Sequence, residues 1–496
     1  MKHKYRFQFY QQIYNCMPDI LCEAERAGKE LGLEKLKNQI GLFPGSSSCP
    51  GSLPRFVLDA IIEANRTPIL PLRVVEDELR EVVKDIYGDE YDAAATNTCE
   101  AALLVCFDVL FAPPTMRKGD AYRARYIAPY GEDIEFMAAF GRPFPPKYKS
   151  LLVDRSVSAG ELSMEGKSLA NLDTVFVRLA GADYQVHGIR FNPVPLMTKT
   201  NAEKSAKRLA EVAARHSEML SGFETIGYDS PGYGYGDKDE KGVPKLKKLI
   251  GQLATTYDVP YLVDGAGGIP GMGFTLEDVG ADVMVWSMDK VVRAPTSGLI
   301  VGKEELMVPI RKALGLGGQR YGEVSSHGKA LYSLCDPGRD TVIGMLAVLK
   351  TIRDEPERIT RPIDEFHDII VEEFASLKPR RFRDKLIITK SYAMGKTEIN
   401  YEQTWRDDGF GIPIFTLDDL VANTNPIMLA QQAMGIYPAT LYAGNMRIAP
   451  GLGTLDEQGQ LNKENARLAV KAAVRSIEIV CKYAGPQGRD GSAVIS

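Results

Sequence analysis

The sequence lacks any run approaching the roughly 18 uncharged apolar residues that a membrane-spanning helix needs. Its charged opening, MKHKYRFQFYQQIYN, is followed by no continuous apolar stretch of the kind a secretory leader carries. A soluble, cytoplasmic protein is therefore expected, with no membrane partner. The seven cysteines are odd in number and scattered, and none forms a C-x-x-C pair, which argues against a disulfide framework and against a zinc site. Five well-separated histidines give no support to a metal cluster, and no metal is expected. A formal net charge of −5 leaves no basic footprint, so nucleic acid is not expected as a partner. What remains is ordinary globular material: 496 residues, 44% hydrophobic and 25% charged, enough for two or three domains.

Taken in order, residues up to about 43 read as helical, with a break at Phe43-Pro44-Gly45. The stretch GLFPGSSSCPGSLPRF that follows is too rich in Gly, Pro and Ser for any regular element. A plain connection and a substrate-lining segment, with Ser46 to Ser48 and Arg55 in it, are both open readings. From Val74 a helix leads to a short small-residue strand, Tyr91 to Ala95, and a second helix begins near Thr98. Asn97 followed by Glu100 has capping-box spacing, and Ala101, Leu104, Val105 and Val109 fall on one helical face. The free N–H groups of such a helix start can cradle a phosphate, and an ordinary strand–helix turn is the other open reading.

Between Pro113 and Gly181 the pattern is hard to read. Beyond it, Asn201 caps a helix expected to run to Leu220, GFETIGYD reads as a strand, and SPGYGYGDKDEKG reads as a turn or mobile loop in which Tyr233 and Tyr235 are placed to close a site. A helix from Leu246 to Tyr257, the strand of PYLVDGAGG and the strand ending at Trp286 complete an alternation that predicts an α/β fold: a mainly parallel central sheet covered by helices. In such sheets ligands bind at the C-terminal strand ends. Asp264 stands at one such end and Lys290 at another. A strand-end lysine is usually a solvated charge; a buried one has a depressed pKa and serves as an amine nucleophile. A lysine to carry the cofactor, an aspartate for the pyridine nitrogen and N–H groups for a phosphate are what pyridoxal phosphate requires of a protein.

The stretch Tyr261 to Lys303 resembles the fold type I pyridoxal-phosphate enzymes. YLVDGAGG is similar to their strand bearing the pyridine-binding aspartate, and SMDKVVRAPTSGLIVGK to the S-x-D-K segment of the selenocysteine synthase group and related ammonia lyases. The resemblance implies the fold type I transferase fold with a smaller α+β C-terminal domain. It divides the chain into an N-terminal helical arm (1–45), a large cofactor-binding domain (46–335) and a small domain (336–496).

It also implies pyridoxal 5'-phosphate as cofactor, with Lys290 as the Schiff-base lysine, Asp264 at the pyridine nitrogen and Ser287 on the phosphate. Thr96, Asn97, Thr98 and Cys99 correspond to the phosphate turn. Thr296, Ser297 and Gly298 correspond to a loop that reaches a neighbouring subunit, so a homodimer or homotetramer is expected. Ser158 is a weak counterpart of the ring-stacking residue. The aspartate at 264, where phosphoseryl-tRNA enzymes carry an uncharged residue, implies stronger electron-sink chemistry. NMRIAP, at Asn445 to Pro450, resembles the R-x-x-P strand of kynureninase-like and class V enzymes, which makes Arg447 the clamp on a substrate carboxylate. Ser47 and Arg55 are further candidates for substrate binding.

The expected activity is that of a lyase acting on a free amino acid by β- or α,β-elimination. An aminotransferase and an aminoacyl-tRNA-modifying transferase are the alternatives, and a protein keeping the fold without the chemistry is the third.

Overall fold

The computed structural model describes residues 12–47, 49–111, 117–118, 121–122, 125–130, 163–164, 167–168, 190–195, 201–316, 332–405, 411–415, 419–420 and 423–484. Ser48, Ser158 and the tail from 487 onward lie outside the described residues.

The main sheet has seven strands: β1 (Tyr91–Thr96), β2 (Arg125–Tyr130), β3 (Arg190–Pro195), β4 (Leu220–Ile226), β5 (Tyr261–Asp264), β6 (Val283–Ser287) and β7 (Gly298–Lys303). Their spatial order is β1-β7-β6-β5-β4-β2-β3. Six run in one direction; β7 alone is antiparallel, to β1 on one side and β6 on the other. Short apolar runs such as VMVWS are buried along their whole length, as strands covered on both faces must be. Alternation sorts their side chains between the two layers. Met284 and Trp286 join one hydrophobic core, Val283 and Val285 the other.

The first core is covered by α2 (Arg55–Arg66), α3 (Leu72–Tyr87), α5 (Ala202–Arg215), α6 (Lys245–Tyr257) and α8 (Arg339–Asp354), and the opposite face by α4 (Cys99–Phe111) and α7 (Glu304–Leu314). Helix α4, CEAALLVCFDVLF, is apolar nearly all round because it is wedged between the sheet and α7. Its buried face is Ala102, Leu103, Val105, Cys106 and Leu110, whereas Leu104 and Val109 of the expected face are only half-buried. Helix α5 is capped as expected, Lys204 N–H donating to Asn201 Oδ1 at 2.9 Å, but it ends at Arg215, and Leu220 opens β4 instead.

A second core joins α1 (Met17–Glu30), α9 (Glu357–Phe374), α10 (Pro426–Met434) and α11 (Lys463–Ala484) to a four-stranded antiparallel sheet. That sheet is β8 (Ile387–Ser391), β9 (Lys396–Asn400), β11 (Asn445–Ile448) and β10 (Thr440–Tyr442), in this order. Packing divides the chain differently from the expected boundaries. Ile13, Ile20, Leu33 and Leu42 belong to the second core, so the N-terminal residues are not a separate arm. Helix α8 belongs to the first core through Val342, Met345 and Leu349, which moves the change of core from residue 336 to beyond Asp354.

Candidate active site

Strand register brings the motif residues to one edge of the main sheet. Thr96, Gly298 and Ser287 share a row across β1, β7 and β6, and Asp264 pairs with Val285 two residues before that row's end. Lys290 follows β6 in a turn and is half-buried. Asp264 is 3% exposed; its Oδ1 accepts the Ala266 N–H at 3.0 Å, and Oδ2 takes no hydrogen bond from the described residues. Burial raises the Asp264 carboxyl to about 6 against the pull of Ala266 N–H, Lys290 and Lys247, with Glu100 adding to the rise.

Lys290 departs from the expectation of a depressed pKa. Burial works to lower it, but the charges of Cys99, Tyr228, Asp264 and Glu100 outweigh burial and hold it above the ordinary lysine value. Cys99 feels the same cluster: burial first, then Asp264, push its thiol well up. Lys290, Asp264 and the first residue of α4 therefore meet in one electrostatic site.

The start of α4 differs from the expected capping box. Thr98 is the cap, its Oγ1 accepting Ala101 N–H at 3.0 Å and its carbonyl accepting Ala102 N–H at 3.1 Å. Asn97 is turned away: its N–H donates to Cys335 O at 2.9 Å and its Nδ2 to Leu334 O at 2.8 Å, and Glu100 is exposed. Thr96 Oγ1 donates to Thr98 O at 2.8 Å and Ser287 Oγ to Asp289 Oδ1 at 2.6 Å. The donors open to a phosphate are therefore the N–H groups of Cys99 and Glu100, which have no intrahelical acceptor at the first two helical positions.

An open aspartate oxygen, a lysine on the neighbouring strand end and a free helix start fit pyridoxal phosphate. Asp264 would hold the ring nitrogen, Lys290 the aldehyde carbon, and Cys99 and Glu100 the phosphate. The fit depends on Gly298, where a Cβ would lie 2.4 Å from Thr98 O and 2.6 Å from Thr96 Oγ1. Gly298→Ala should cost roughly 1–3 kcal/mol of stability and weaken cofactor affinity together with it, because the cap of α4 has to move. Thermal melts with and without added cofactor check both.

The smaller sheet closes the site from above. On β9 and β11, Thr397, Ile399, Met446 and Ile448 alternate with Lys396, Glu398, Asn400, Asn445 and Arg447. Ile399, Met446 and Ile448 face the second core, and the polar set is buried against the loop that follows β4. Glu398 accepts Ser230 Oγ at 2.6 Å and Gly232 N–H at 2.9 Å, and Asn400 Nδ2 donates to Asn445 Oδ1 at 2.8 Å. Arg447, 2% exposed, lies over the rings of Tyr442 at 4.0 Å and Tyr233 at 4.9 Å. Tyr233 shares a 2.6 Å hydroxyl contact with Tyr442 and packs edge-on against Tyr228, whose hydroxyl bears on Lys290. Tyr228 and Tyr233, both half-buried, thus lie between Arg447 and Lys290.

Tyr228 and Lys396 escaped the sequence reading. Lys396 is 5% exposed, and burial together with the charge of Lys290 lowers its pKa to about 7.

Five other expected residues divide between the site, its neighbouring turn and the surface. Arg55 opens α2 with its side chain 63% exposed and pairs with Asp59 at 2.9 Å, away from Lys290. Ser47 is half-buried in a loop that does reach the site: a Cβ on Gly45 would lie 3.5 Å from Asp289 O, and Arg293 Nε and Nη2 donate to Ser52 O at 3.0 and 2.8 Å. Ser297 Oγ donates to Pro295 O at 2.7 Å within its own turn, and Thr296 beside it is half-exposed. Tyr235 lies in the first core beneath Lys247, whose Nζ is 3.9 Å from its ring centre, and does not line the site.

The fold and the site define a fold type I pyridoxal-phosphate-dependent enzyme. Residues 238–380, which include Asp264 and Lys290, match the family model for aminotransferase class-V. Among solved structures it is similar to an engineered thermostable omega transaminase, with 14% identity, TM-score 0.51, and 89% of this chain and 88% of that one covered. It is also similar to a multiple substrate aminotransferase from Thermococcus profundus (12%, TM-score 0.49, 91% and 94% covered). A pyridoxamine-pyruvate aminotransferase from Mesorhizobium loti gives 12%, TM-score 0.48, with 91% and 94% covered. No curated protein matches the sequence. Among the described residues no helix is long and apolar enough to cross a membrane.

Proposed function

We propose that this enzyme acts on a free amino acid by β- or α,β-elimination, as a cytoplasmic homodimer in which the Thr296–Ser297 turn meets the neighbouring subunit. The observation that carries the reading is the convergence of Lys290, Asp264 and the start of α4 at adjoining strand ends, with Arg447 buried at the far side of one tyrosine cluster. Pyridoxal phosphate, when bound, supplies an electron sink for a bond broken at the substrate's α-carbon.

The rest falls to the chain. Asp264, with Oδ2 open and water largely excluded, keeps a proton on the ring nitrogen brought against it. Arg447 sits on a strand and over two rings, and its planar fork holds the substrate carboxylate so that one Cα–H faces Lys290. Lys290 Nζ, once relieved of its own proton, removes that hydrogen and returns it where elimination or transfer requires. Its raised pKa means that the neighbouring anionic groups hold a proton on it in the resting site.

The likeness of Ser287 to Lys290 to the S-x-D-K segment supports elimination. The class V match supports transamination as the second reading. An aminoacyl-tRNA substrate, with its carboxylate esterified, leaves Arg447 without that task.

Cofactor-loaded protein given a panel of L- and D-amino acids, with no amino acceptor present, should release 2-oxo acid and ammonia catalytically. A single turnover that stalls until a 2-oxo acid is added makes it an aminotransferase. No reaction with any free amino acid overturns the proposal.

A further inference from the structure

Lys396 has no task in the mechanism above, yet the fold brings it to the site. It opens β9 one residue after Gly395, where a Cβ would lie 2.6 Å from Val291 Cγ1 and 2.7 Å from Gly267 O. The start of β9 therefore touches both the residue after Lys290 and the turn after Asp264. Lys396 is 5% exposed, and among the described residues its ammonium has neither a hydrogen bond nor an ion pair. Its recorded neighbour is the ring of Phe43 in the Gly/Pro/Ser-rich loop, 5.9 Å from Nζ.

Other buried cations are provided for. Lys247 donates to Thr225 Oγ1 at 3.1 Å and to Ile226 O, Arg293 to Ser52 O, and Arg311 to Ala93 O at 2.7 Å. In its charged form a lysine such as Lys396 is costly to bury, and an anion beside it would offset that cost.

Register supplies the second half of the argument. Arg447 lies opposite Glu398, two residues from Lys396 on the same face of the sheet. The two cations are diagonal neighbours, with α-carbons roughly 7–8 Å apart. Glu398 between them is committed to Ser230 and Gly232. The face thus presents a fork suited to a carboxylate and, a side chain's length away, a point charge suited to another anion.

We propose that Lys396 binds an acidic group, carboxylate or phosphate, on the substrate's side chain, so that the substrates are acidic amino acids. This rests on the reading of the Lys290 site as one for a free amino acid. It also accounts for a lysine poised near neutrality: an arriving anion restores the charge that burial and Lys290 take away.

The test is calorimetric titration of cofactor-loaded enzyme with three unreactive ligands: butyrate, glutarate and 3-phosphonopropionate. At least one of the two diacids should bind about tenfold or more tightly than butyrate, and the tighter of the pair identifies the acidic group. Lys396→Met should bring diacid affinity down to that of butyrate, while Lys396→Arg keeps the preference. Equal binding of all three by the wild type overturns the proposal without recourse to any variant, as does a preference that survives Lys396→Met. Turnover is scored separately. Turnover confined to amino acids with uncharged side chains overturns the substrate class and leaves the enzyme reading standing. A Lys396-dependent preference for diacids with no amino acid turned over supports the anion site and overturns the elimination reading.

Discussion

Lys290→Ala should lower kcat by on the order of 10^4-fold or more, since one group is asked both to hold the cofactor and to move the α-proton. The loss should show in two further ways. Wild-type protein loaded with cofactor and treated with borohydride should keep it through denaturation, with the label on the peptide that contains Lys290; the variant should release all of it. Lys396 is the other lysine in the site, already near neutrality, and it offers the one competing outcome. If the label persists in Lys290→Ala and maps to Lys396, the assignment of the two lysines is reversed. Position favours Lys290. It lies three residues beyond Ser287, the end of β6, which shares a row with Thr96 and Gly298, whereas Lys396 enters from the smaller sheet. The structure of the variant should be little changed, because Lys290 is half-buried and, among the described residues, no hydrogen bond of its side chain supports the core.

That much was legible because parallel strands announce themselves. Buried on both faces, they read as unbroken apolar runs, and a charged residue at the end of such a run stands out. Asp264 after Tyr261-Leu262-Val263 and Lys290 after VMVWS are of this kind. The face made by β9 and β11 was not legible, and for a definite reason. Lys-Thr-Glu-Ile-Asn alternates as a half-exposed antiparallel strand does, and the polar half of such a strand ordinarily meets water. Here the loop from Tyr228 to Tyr233 covers it, through Ser230 and Gly232 on Glu398, and no local pattern encodes that closure.

Asn97 and Arg55 misled for the opposite reason. Each has the right chemistry at the right distance along the chain, but the carbonyls of Leu334 and Cys335 take up the donors of Asn97, and α2 begins at Arg55 and turns its side chain to Asp59. Competition between nearby hydrogen-bond partners is decided in three dimensions, not by spacing. Helix α8 shows the same limit at larger scale. The expected boundary at residue 336 gave it to the small domain, yet its apolar residues pack into the first core.

Asp264→Asn should reduce kcat roughly 10^2–10^3-fold, the usual scale for removing one electrostatic partner of a developing charge, and yet make the cofactor-free protein more stable at alkaline pH. The sign follows from where the carboxyl titrates. Its native pKa of about 6 lies above the unfolded value near 3.9, so the native state prefers the protonated form. The stability this preference contributes is fully present below about pH 3.9 and is lost as pH rises through about 6. Asparagine cannot ionise and escapes the loss. Between pH 4 and pH 8 the stability difference should therefore move by up to about 3 kcal/mol in favour of the variant. Denaturant melts of the cofactor-free proteins at the two pH values would measure it. Glu224, opposite Leu262 on the neighbouring strand, is pushed up to about 8 by burial first and then by the Asp264 charge, so removing that charge in Asp264→Asn acts in the same direction. Cofactor should reverse the order. A protonated ring nitrogen against Oδ2 restores the value of the ionised carboxylate, so added pyridoxal phosphate should raise the melting temperature of wild type more than that of Asp264→Asn. Equal shifts for the two proteins would mean that Asp264 does not face the ring, whatever happens to kcat. An aspartate that destabilises the empty fold and stabilises the loaded one is what distinguishes a cofactor partner from a structural turn residue.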